Sequence, residues 1–163
     1  MKTNLFAALL ILFSASTLAA KPDHQLPISI NADNTQASIR DNTAVYVDNV
    51  EVRQGSLLIK ADRLEINASA GKGQEIFIFS GTPVTYSQLL DGERPVTAQA
   101  NEIRYDIASR TLTLTTDAEL TQSGSLVRGD IIRYNLERQE LTAGSEQNRR
   151  VTTIFTPETK ENP

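Results

Sequence analysis

The segment Leu57-Leu58-Ile59-Lys60-Ala61-Asp62-Arg63-Leu64-Glu65-Ile66 alternates apolar and polar residues and then changes phase. Side chains of a β-strand point alternately to the two faces of a sheet. The inner apolar positions are odd-numbered before Asp62 (57, 59, 61) and even-numbered after it (64, 66). A strand that keeps its apolar side chains on one face through such a switch must contain one extra residue, as at a β-bulge or a corner.

The same unit occurs four times along the chain. Each copy reads apolar, any residue, small, Asp or Asn, and then a new alternating run: Ile30-Asn31-Ala32-Asp33, Ile59-Lys60-Ala61-Asp62, Ala98-Gln99-Ala100-Asn101 and Val127-Arg128-Gly129-Asp130. The small residues are spaced by 29, 39 and 29 positions. A small side chain lets chains approach closely, and Asp or Asn tolerates an irregular backbone. We therefore interpret Asp33, Asp62 and Asp130 as corner residues rather than catalytic carboxylates.

Further alternating runs indicate that the whole domain is all-β. They include Val50–Arg53, Glu75–Phe79 and Thr111–Thr115, and turn residues such as Gly71-Lys72-Gly73 separate them. Many short strands spaced in this way are typical of a sandwich, a jelly roll or a barrel. The phase switches predict that one continuous apolar face lines the inside of a curved sheet. The aromatic residues on these strands either fill the core or line a trough that stays open to a ligand.

The composition excludes most enzyme chemistry. The chain has no Cys and a single His, His24, so thiol nucleophiles, thiolate metal sites and Ser/His/Asp triads lack their residues. Its formal net charge of −4, from 16 Lys plus Arg and 20 Asp plus Glu, argues against nucleic acid as a partner. We expect no metal and no cofactor. Because no carboxylate pair is singled out, an enzyme or a scaffold acting on cell-envelope polysaccharide stays open as an alternative.

The amino end has the layout of a secretory signal peptide. Lys2 precedes the nine-residue apolar run Leu5–Phe13, and the small-residue stretch Ser14–Ala20 follows. A membrane span needs about 20 apolar residues. We predict a signal peptide over residues 1–20, cleaved after Ala19 or Ala20, with a retained anchor as the alternative. Residues 21–156 then form a single domain outside the cytosol, in the periplasm of a bacterium, and residues 157–163 form a disordered tail.

The first and last strands of the domain are predicted to lie at the two edges of the sheet. Edge strands present unpaired main-chain groups, so the end of one copy can pair with the start of another. The alternative is that loops cover both edges. The predicted partner-edge residues are Leu26, Ile28 and Ile30 at the start and Val151, Thr153 and Phe155 at the end.

These repeats resemble the OstA-like family of lipopolysaccharide transport proteins. The resemblance covers nearly all of residues 26–156 and includes Leu26–Asp33, Asn49–Gly55, Gly81–Tyr86 and Arg150–Thr153. It implies a twisted, open β-jellyroll built from repeated antiparallel strands, whose apolar groove carries the acyl chains of lipopolysaccharide (lipid A). It also implies head-to-tail self-association, and contacts with an inner-membrane-anchored LptC-like protein and an outer-membrane LptD-like protein. No catalysis is implied.

The resemblance also implies which residues contact the lipid. It places contacts on the inward side of the first strand, which matches Ile28 and Ile30, and on inward aromatics, which match Tyr86 and Tyr105. Together with the phase of the alternation, the predicted lipid-binding residues are Ile28, Ile30, Ile39, Ile59, Leu64, Ile66, Tyr86, Ile103, Tyr105, Ile132 and Tyr134.

Overall fold

The computed structural model describes residues 22–90, 94–146 and 150–156. A short 3-10 helix, Asp23–Gln25, precedes ten strands: β1 (Ser29–Asn31), β2 (Asn34–Ser38), β3 (Thr43–Gln54), β4 (Leu57–Asn67), β5 (Ile76–Leu90), β6 (Arg94–Asp106), β7 (Thr111–Gln122), β8 (Ser125–Asn135), β9 (Glu140–Gly144) and β10 (Thr152–Ile154). The all-β prediction is confirmed. The predicted signal peptide, 1–20, and the predicted tail, 157–163, lie outside the described residues.

The strands form one antiparallel sheet with a linear order. The order is β1-β3-β4-β5-β6-β7-β8-β10, and β2 also pairs with β3 while β9 pairs with β8. The long strands β3 to β8 are therefore neighbours in the sheet in the same order as in the chain. Since β1 and β10 stand at opposite ends of this order, the sheet is open rather than closed into a barrel, as predicted.

A row of register shifts crosses the sheet. The shifts lie at Val47/Val50 in β3, Lys60/Arg63 in β4, Ser80/Val84 in β5, Gln99/Glu102 in β6 and Thr115/Ala118 in β7. We call this row the crease, and it divides each long strand into two segments. Half A comprises 29–31, 50–54, 57–61, 84–90, 94–100, 118–122, 125–129 and 152–154; half B comprises 34–38, 43–47, 63–67, 76–80, 102–106, 111–115, 131–135 and 140–144.

The long strands β4, β6 and β8 cross the crease with the change of phase that the sequence predicts. In β4 the inner side chains Ala61 and Leu64 are three positions apart and both buried, and Ala100 and Ile103 repeat this spacing in β6. Asp62 and Asp130 thus lie at the crease. Asp33 also lies there, between β1 and β2, and its N–H donates to the carbonyl of Asp48 at 3.0 Å.

The strands β3 and β7 cross the crease differently, through pairs of residues with positive φ. The pairs are Asp48 and Asn49 (66° and 51°) and Thr116 and Asp117 (66° and 52°). Asn and Asp adopt this left-handed backbone more readily than other non-glycine residues. Two inserted residues leave the phase of the alternation unchanged, so these crossings leave no periodicity signal in the sequence.

The core consists of the inner side chains of the two halves, packed face to face. Leu64 and Ile103 of half B and Val84 and Val96 of half A are all 0% exposed. Burial of such apolar surface stabilises the fold by about 25 cal/mol per Å². Among the described residues, no helix has the length and apolar character needed to cross a membrane.

Candidate functional site

Most of the predicted lipid-binding residues lie on the inner side of the sheet. Six of them are at most 3% exposed: Ile59, Leu64, Tyr86, Ile103, Ile132 and Tyr134. Three more, Ile30, Ile66 and Tyr105, are partly buried and pack against this core. The alternation in the sequence therefore identified the inner face correctly for these nine positions, while their contact with lipid stays a prediction.

Two predicted residues are exposed. Ile39 is 92% exposed in the turn after β2, so its predicted place on the inner face is wrong. The reason is that β2 ends at Ser38, and the alternation read from the sequence does not extend beyond the strand. Ile28 is 41% exposed and precedes β1, where it borders the interior of the folded sheet.

The interior is filled by the protein's own side chains. A crevice remains between Val52, Leu57 and Ile59 of half A and Phe77, Phe79 and Tyr105 of half B, with Ile28 and Gln54 also lining it. Its volume is about 10 Å³, which is at the lower limit for a single water molecule. The prediction of a trough that is already open is therefore wrong for this conformation. Alternation shows which face is apolar, but it does not show what covers that face.

The two halves meet again opposite the crease, where the hairpin ends of half A face those of half B. We call this line the mouth. Three glutamines of half A point inward there, one on each of β3, β5 and β7, and they follow one another at intervals of 34 residues: Gln54, Gln88 and Gln122. Sequence reasoning missed this row. Its signal is the pattern apolar-any-apolar-any-Gln, as in Val50-Glu51-Val52-Arg53-Gln54.

Side-chain hydrogen bonds hold the mouth closed. The Tyr134 hydroxyl of half B donates to Gln122 Oε1 of half A at 3.1 Å. Arg94 Nη2 of half A donates at 3.0 Å to Oε1 of Gln139, which lies in the turn between β8 and β9. Gln122 Nε2 also contacts this oxygen at 3.5 Å. The mouth is thus joined by side chains, whereas the crease is continuous backbone.

Residues 22–28, which we call the N-terminal strap, are fixed to half A. The Asp23 carboxylate accepts hydrogen bonds from the Ser56 N–H at 3.0 Å and from Gln88 Nε2 at 3.0 Å. Partial burial raises the pKa of Asp23, but the hydrogen bonds from Ser56 and Gln88 lower it by more, so the pKa lies below its ordinary value. Gly55 has a φ of +60°, and a Cβ there would collide with the Asp23 carboxylate.

The strap reaches across the mouth to half B. His24 Nδ1 lies 3.5 Å from Nη2 of Arg110, which is in the turn between β6 and β7. Under this contact is a cavity of about 30 Å³ whose lining includes His24, Tyr86, Gln88, Tyr105 and Arg110. Burial raises the pKa of the Tyr86 phenol well above its ordinary value, and the neutral hydroxyl donates to Gln88 Oε1.

Buried polar groups outside the mouth have structural roles. Asp130 Oδ2 accepts a hydrogen bond from the Glu146 N–H at 2.7 Å. Asn135 donates to the carbonyl of Ser109 at 2.9 Å and accepts from the Arg138 N–H at 2.8 Å. No group of three or more His, Asp or Glu side chains within the described ranges is arranged to hold a metal ion.

Residues 29–140 match the family model described as LptA/(LptD N-terminal domain) LPS transport protein. The chain belongs to this family. Among curated members, the lipopolysaccharide export system protein LptA of Haemophilus influenzae is 40% identical over 156 residues, which is 94% of this chain and 90% of that protein. The LptA of Escherichia coli K12 is 32% identical over 163 residues, which is 96% of this chain and 88% of that protein.

A solved structure of the LptA homologue LptH from Pseudomonas aeruginosa has the same fold. It superimposes with a TM-score of 0.76 at 24% sequence identity, covering 83% of this chain and 99% of that one. LptH is described as the periplasmic component of the lipopolysaccharide transport device of its organism. The expected LptA-like open β-jellyroll is thereby confirmed.

Proposed function

We propose that this protein is a periplasmic lipopolysaccharide carrier that binds the acyl chains of lipid A between its two halves and passes the lipid from the inner to the outer membrane. Family membership and the names of the LptA relatives support the lipid class. The observation that carries the mechanism is the apolar inner face, which runs the length of an unclosed sheet. Each methylene of an acyl chain costs about 0.8 kcal/mol in water, so a lipid with several chains needs such a shelter.

Lipid entry requires the two halves to separate, because the crevice between them is about 10 Å³. Separation breaks the side-chain contacts at the mouth and leaves the pairing of neighbouring strands intact. Apolar surface uncovered by the separation is covered again by hydrocarbon, at the same coefficient of about 25 cal/mol per Å². The exchange of protein contacts for lipid contacts is therefore close to balanced, which allows a carrier to release its cargo as well as bind it.

The proposed transport involves no bond-making step, and we propose that the protein is not an enzyme. The relatives are named as export proteins. The two buried polar side chains of the described core, Asp130 and Asn135, are occupied by main-chain partners. Aliphatic contacts that are individually weak and similar along the path suit a lipid that slides.

Head-to-tail assembly would extend the carrier across the periplasm. Strands β1 and β10 stand at opposite ends of the sheet order, and edge strands pair readily with another chain. We propose that Leu26, Ile28 and Ile30 of one copy meet Val151, Thr153 and Phe155 of the next, and that the same edges meet LptC-like and LptD-like proteins. Such a contact joins two different surfaces, so it produces open chains rather than closed dimers.

A charge at the inner side of β1 tests the carrier function. Ile30 packs against the core from the inner side, whereas its neighbour Asn31 is exposed on the outer side. We expect Ile30→Asp to lower the affinity for purified lipopolysaccharide by about tenfold or more, because an ionised carboxylate is costly beside hydrocarbon. Asn31→Asp adds the same charge to the same strand and should bind like the wild type. Equal binding by both variants, with unchanged melting temperatures, would contradict the proposal.

A further inference from the structure

The crevice and the cavity at the mouth form one slot with two chemical characters. They share the lining residues Gln54, Leu57 and Tyr105. The crevice continues inward between apolar side chains such as Phe77 and Phe79. Toward the mouth, glutamine, tyrosine, histidine and arginine side chains join the leucines Leu57, Leu90 and Leu136 in the lining. A slot that is apolar at depth and gains polar and charged groups at its opening matches an amphiphilic molecule whose hydrocarbon lies inside.

Arg110 is the cationic residue of this lining, and its guanidinium is incompletely paired. Its Nε is buried and has no hydrogen-bond partner among the described residues. Its Nη2 has the 3.5 Å contact with His24, which is at the outer limit of a hydrogen bond. A guanidinium is always charged, and it offers its N–H groups as a fork that matches two oxygens of one phosphate. Buried donors of this kind are normally satisfied, so Arg110 has capacity for an additional acceptor.

We infer that Arg110 binds a phosphate of the lipid headgroup at the mouth, and that the N-terminal strap covers this site until the lipid displaces it. The inference rests on the proposed carrier function, and it assigns the position of the headgroup. The acyl chains then occupy the adjoining crevice, and the strap and the phosphate compete for the Arg110 guanidinium.

The other charges around the mouth fit this competition. The Asp23 carboxylate belongs to the strap and would repel an incoming phosphate, so it must leave together with His24. The carboxylate of Asp106 lies near Tyr105, but it is held in the turn between β6 and β7, where it accepts a hydrogen bond from the Ser109 N–H at 2.9 Å. Arg94 lies on the opposite side of the mouth, where it is bound to Gln139. Displacement of the strap therefore removes a negative charge and leaves Arg110 in place.

The test compares two lipids on the full chain. The probes are a hexa-acylated glucosamine disaccharide that carries two phosphates and the same lipid without phosphate. We expect Arg110→Gln to weaken binding of the phosphorylated lipid by about tenfold to a hundredfold, and to leave the weaker binding of the phosphate-free lipid unchanged. Arg63→Gln is the matched control, since the Arg63 side chain lies on the outer face, is 42% exposed and pairs with neighbouring Glu65.

The outcomes separate this inference from the proposed function. If the wild type binds neither lipid, the carrier function fails. If the wild type binds both lipids equally, or if Arg110→Gln and Arg63→Gln lose equal affinity, only the phosphate site is overturned. Inorganic phosphate that binds with the same dependence on Arg110 and gains nothing from acyl chains would also overturn it. Arg110→Lys keeps the positive charge without the forked N–H groups, so its affinity for the phosphorylated lipid should lie between those of the wild type and Arg110→Gln. If Arg110→Gln has a lower melting temperature than the wild type, the affinity of Arg110→Lys tests the inference in its place.

Discussion

The crease and the mouth join the same two halves by different means. At the crease every long strand passes through as continuous backbone, with register shifts and left-handed residues such as Asp48 and Asn49 setting the bend. At the mouth the joints are side-chain contacts, including those of Gln122 with Tyr134 and Gln139. The difference indicates that the crease acts as a hinge and that the mouth can open when its side-chain contacts break. Changes at the crease should alter stability, and changes at the mouth should alter lipid binding.

The largest expected effect comes from locking the mouth. The side-chain ends of Gln122 and Gln139 are 3.5 Å apart, so Gln122→Cys together with Gln139→Cys places two shorter side chains within reach of a short linker, and the natural chain has no Cys. Joining them with a short bis-maleimide that contains a reducible disulfide should weaken lipopolysaccharide binding by about a hundredfold or more, because the binding-competent open state is no longer populated. Reduction of the linker should restore binding, as measured by titration calorimetry.

A second linked pair controls for the chemistry of the lock. Glu119 and Arg128 form a 2.6 Å ion pair between neighbouring strands, and both belong to half A. Glu119→Cys with Arg128→Cys, joined by the same linker, should leave binding unchanged since the two halves remain free to separate. Full lipid binding by the locked mouth would refute the opening step.

A smaller effect is expected at the crease, in the free energy of unfolding. A Cβ at Gly129 would lie 2.8 Å from the carbonyl oxygen of Gly144, which is backbone and cannot move aside freely. We expect Gly129→Ala to lower the free energy of unfolding by about 1–3 kcal/mol, as overpacking does, in urea denaturation. A Cβ at Gly144 would meet nothing within 4 Å, so Gly144→Ala should change stability little. Equal effects of the two substitutions would remove the steric explanation.

The smallest effect is a local titration of the strap. The pKa of Asp23 is below its ordinary value of 3.8, so the carboxylate stabilises the strap above that pH. This stabilisation is lost as the pH falls through the pKa of the folded state. The NMR signal of the Ser56 amide should shift with a midpoint below pH 3.8, and Asp23→Asn should abolish the shift. The Ser109 amide, bound to Asp106, should titrate equally in both proteins; a Ser56 midpoint above 3.8 would contradict the contact.

The sequence predicts those features of the fold that change the phase of the alternation. Crossings such as Ala61 to Leu64 flip the apolar positions from odd to even, so the corner is visible without a structure. Tyr46 and Val50, on either side of the bend in β3, keep the same parity, so that bend is hidden. Ile39 was misplaced because alternation carries no marker of where a strand ends.

The candidate site was less predictable than the fold. The alternation of apolar residues in the sequence is the same whether water, lipid or the protein's other half covers the apolar face. The closed interior therefore could not be predicted from the pattern. Arg110, in the turn between β6 and β7, and Asp23, in the 3-10 helix, reach the mouth through contacts between residues far apart in the chain. The glutamine row was accessible, because Gln54, Gln88 and Gln122 recur at a fixed interval, but it becomes informative only when their inward orientation is known.

The meander order of the sheet has a consequence for how the molecule forms. Strands β4 to β7 pair with the strands adjacent to them in the chain, so each of these pairings closes only a short loop and loses little chain entropy. The pairings β1–β3 and β8–β10 each skip one short strand. Hairpins can therefore dock one after another as the polypeptide is delivered from its amino end. A chain with this connectivity can begin to fold before its last strand has arrived.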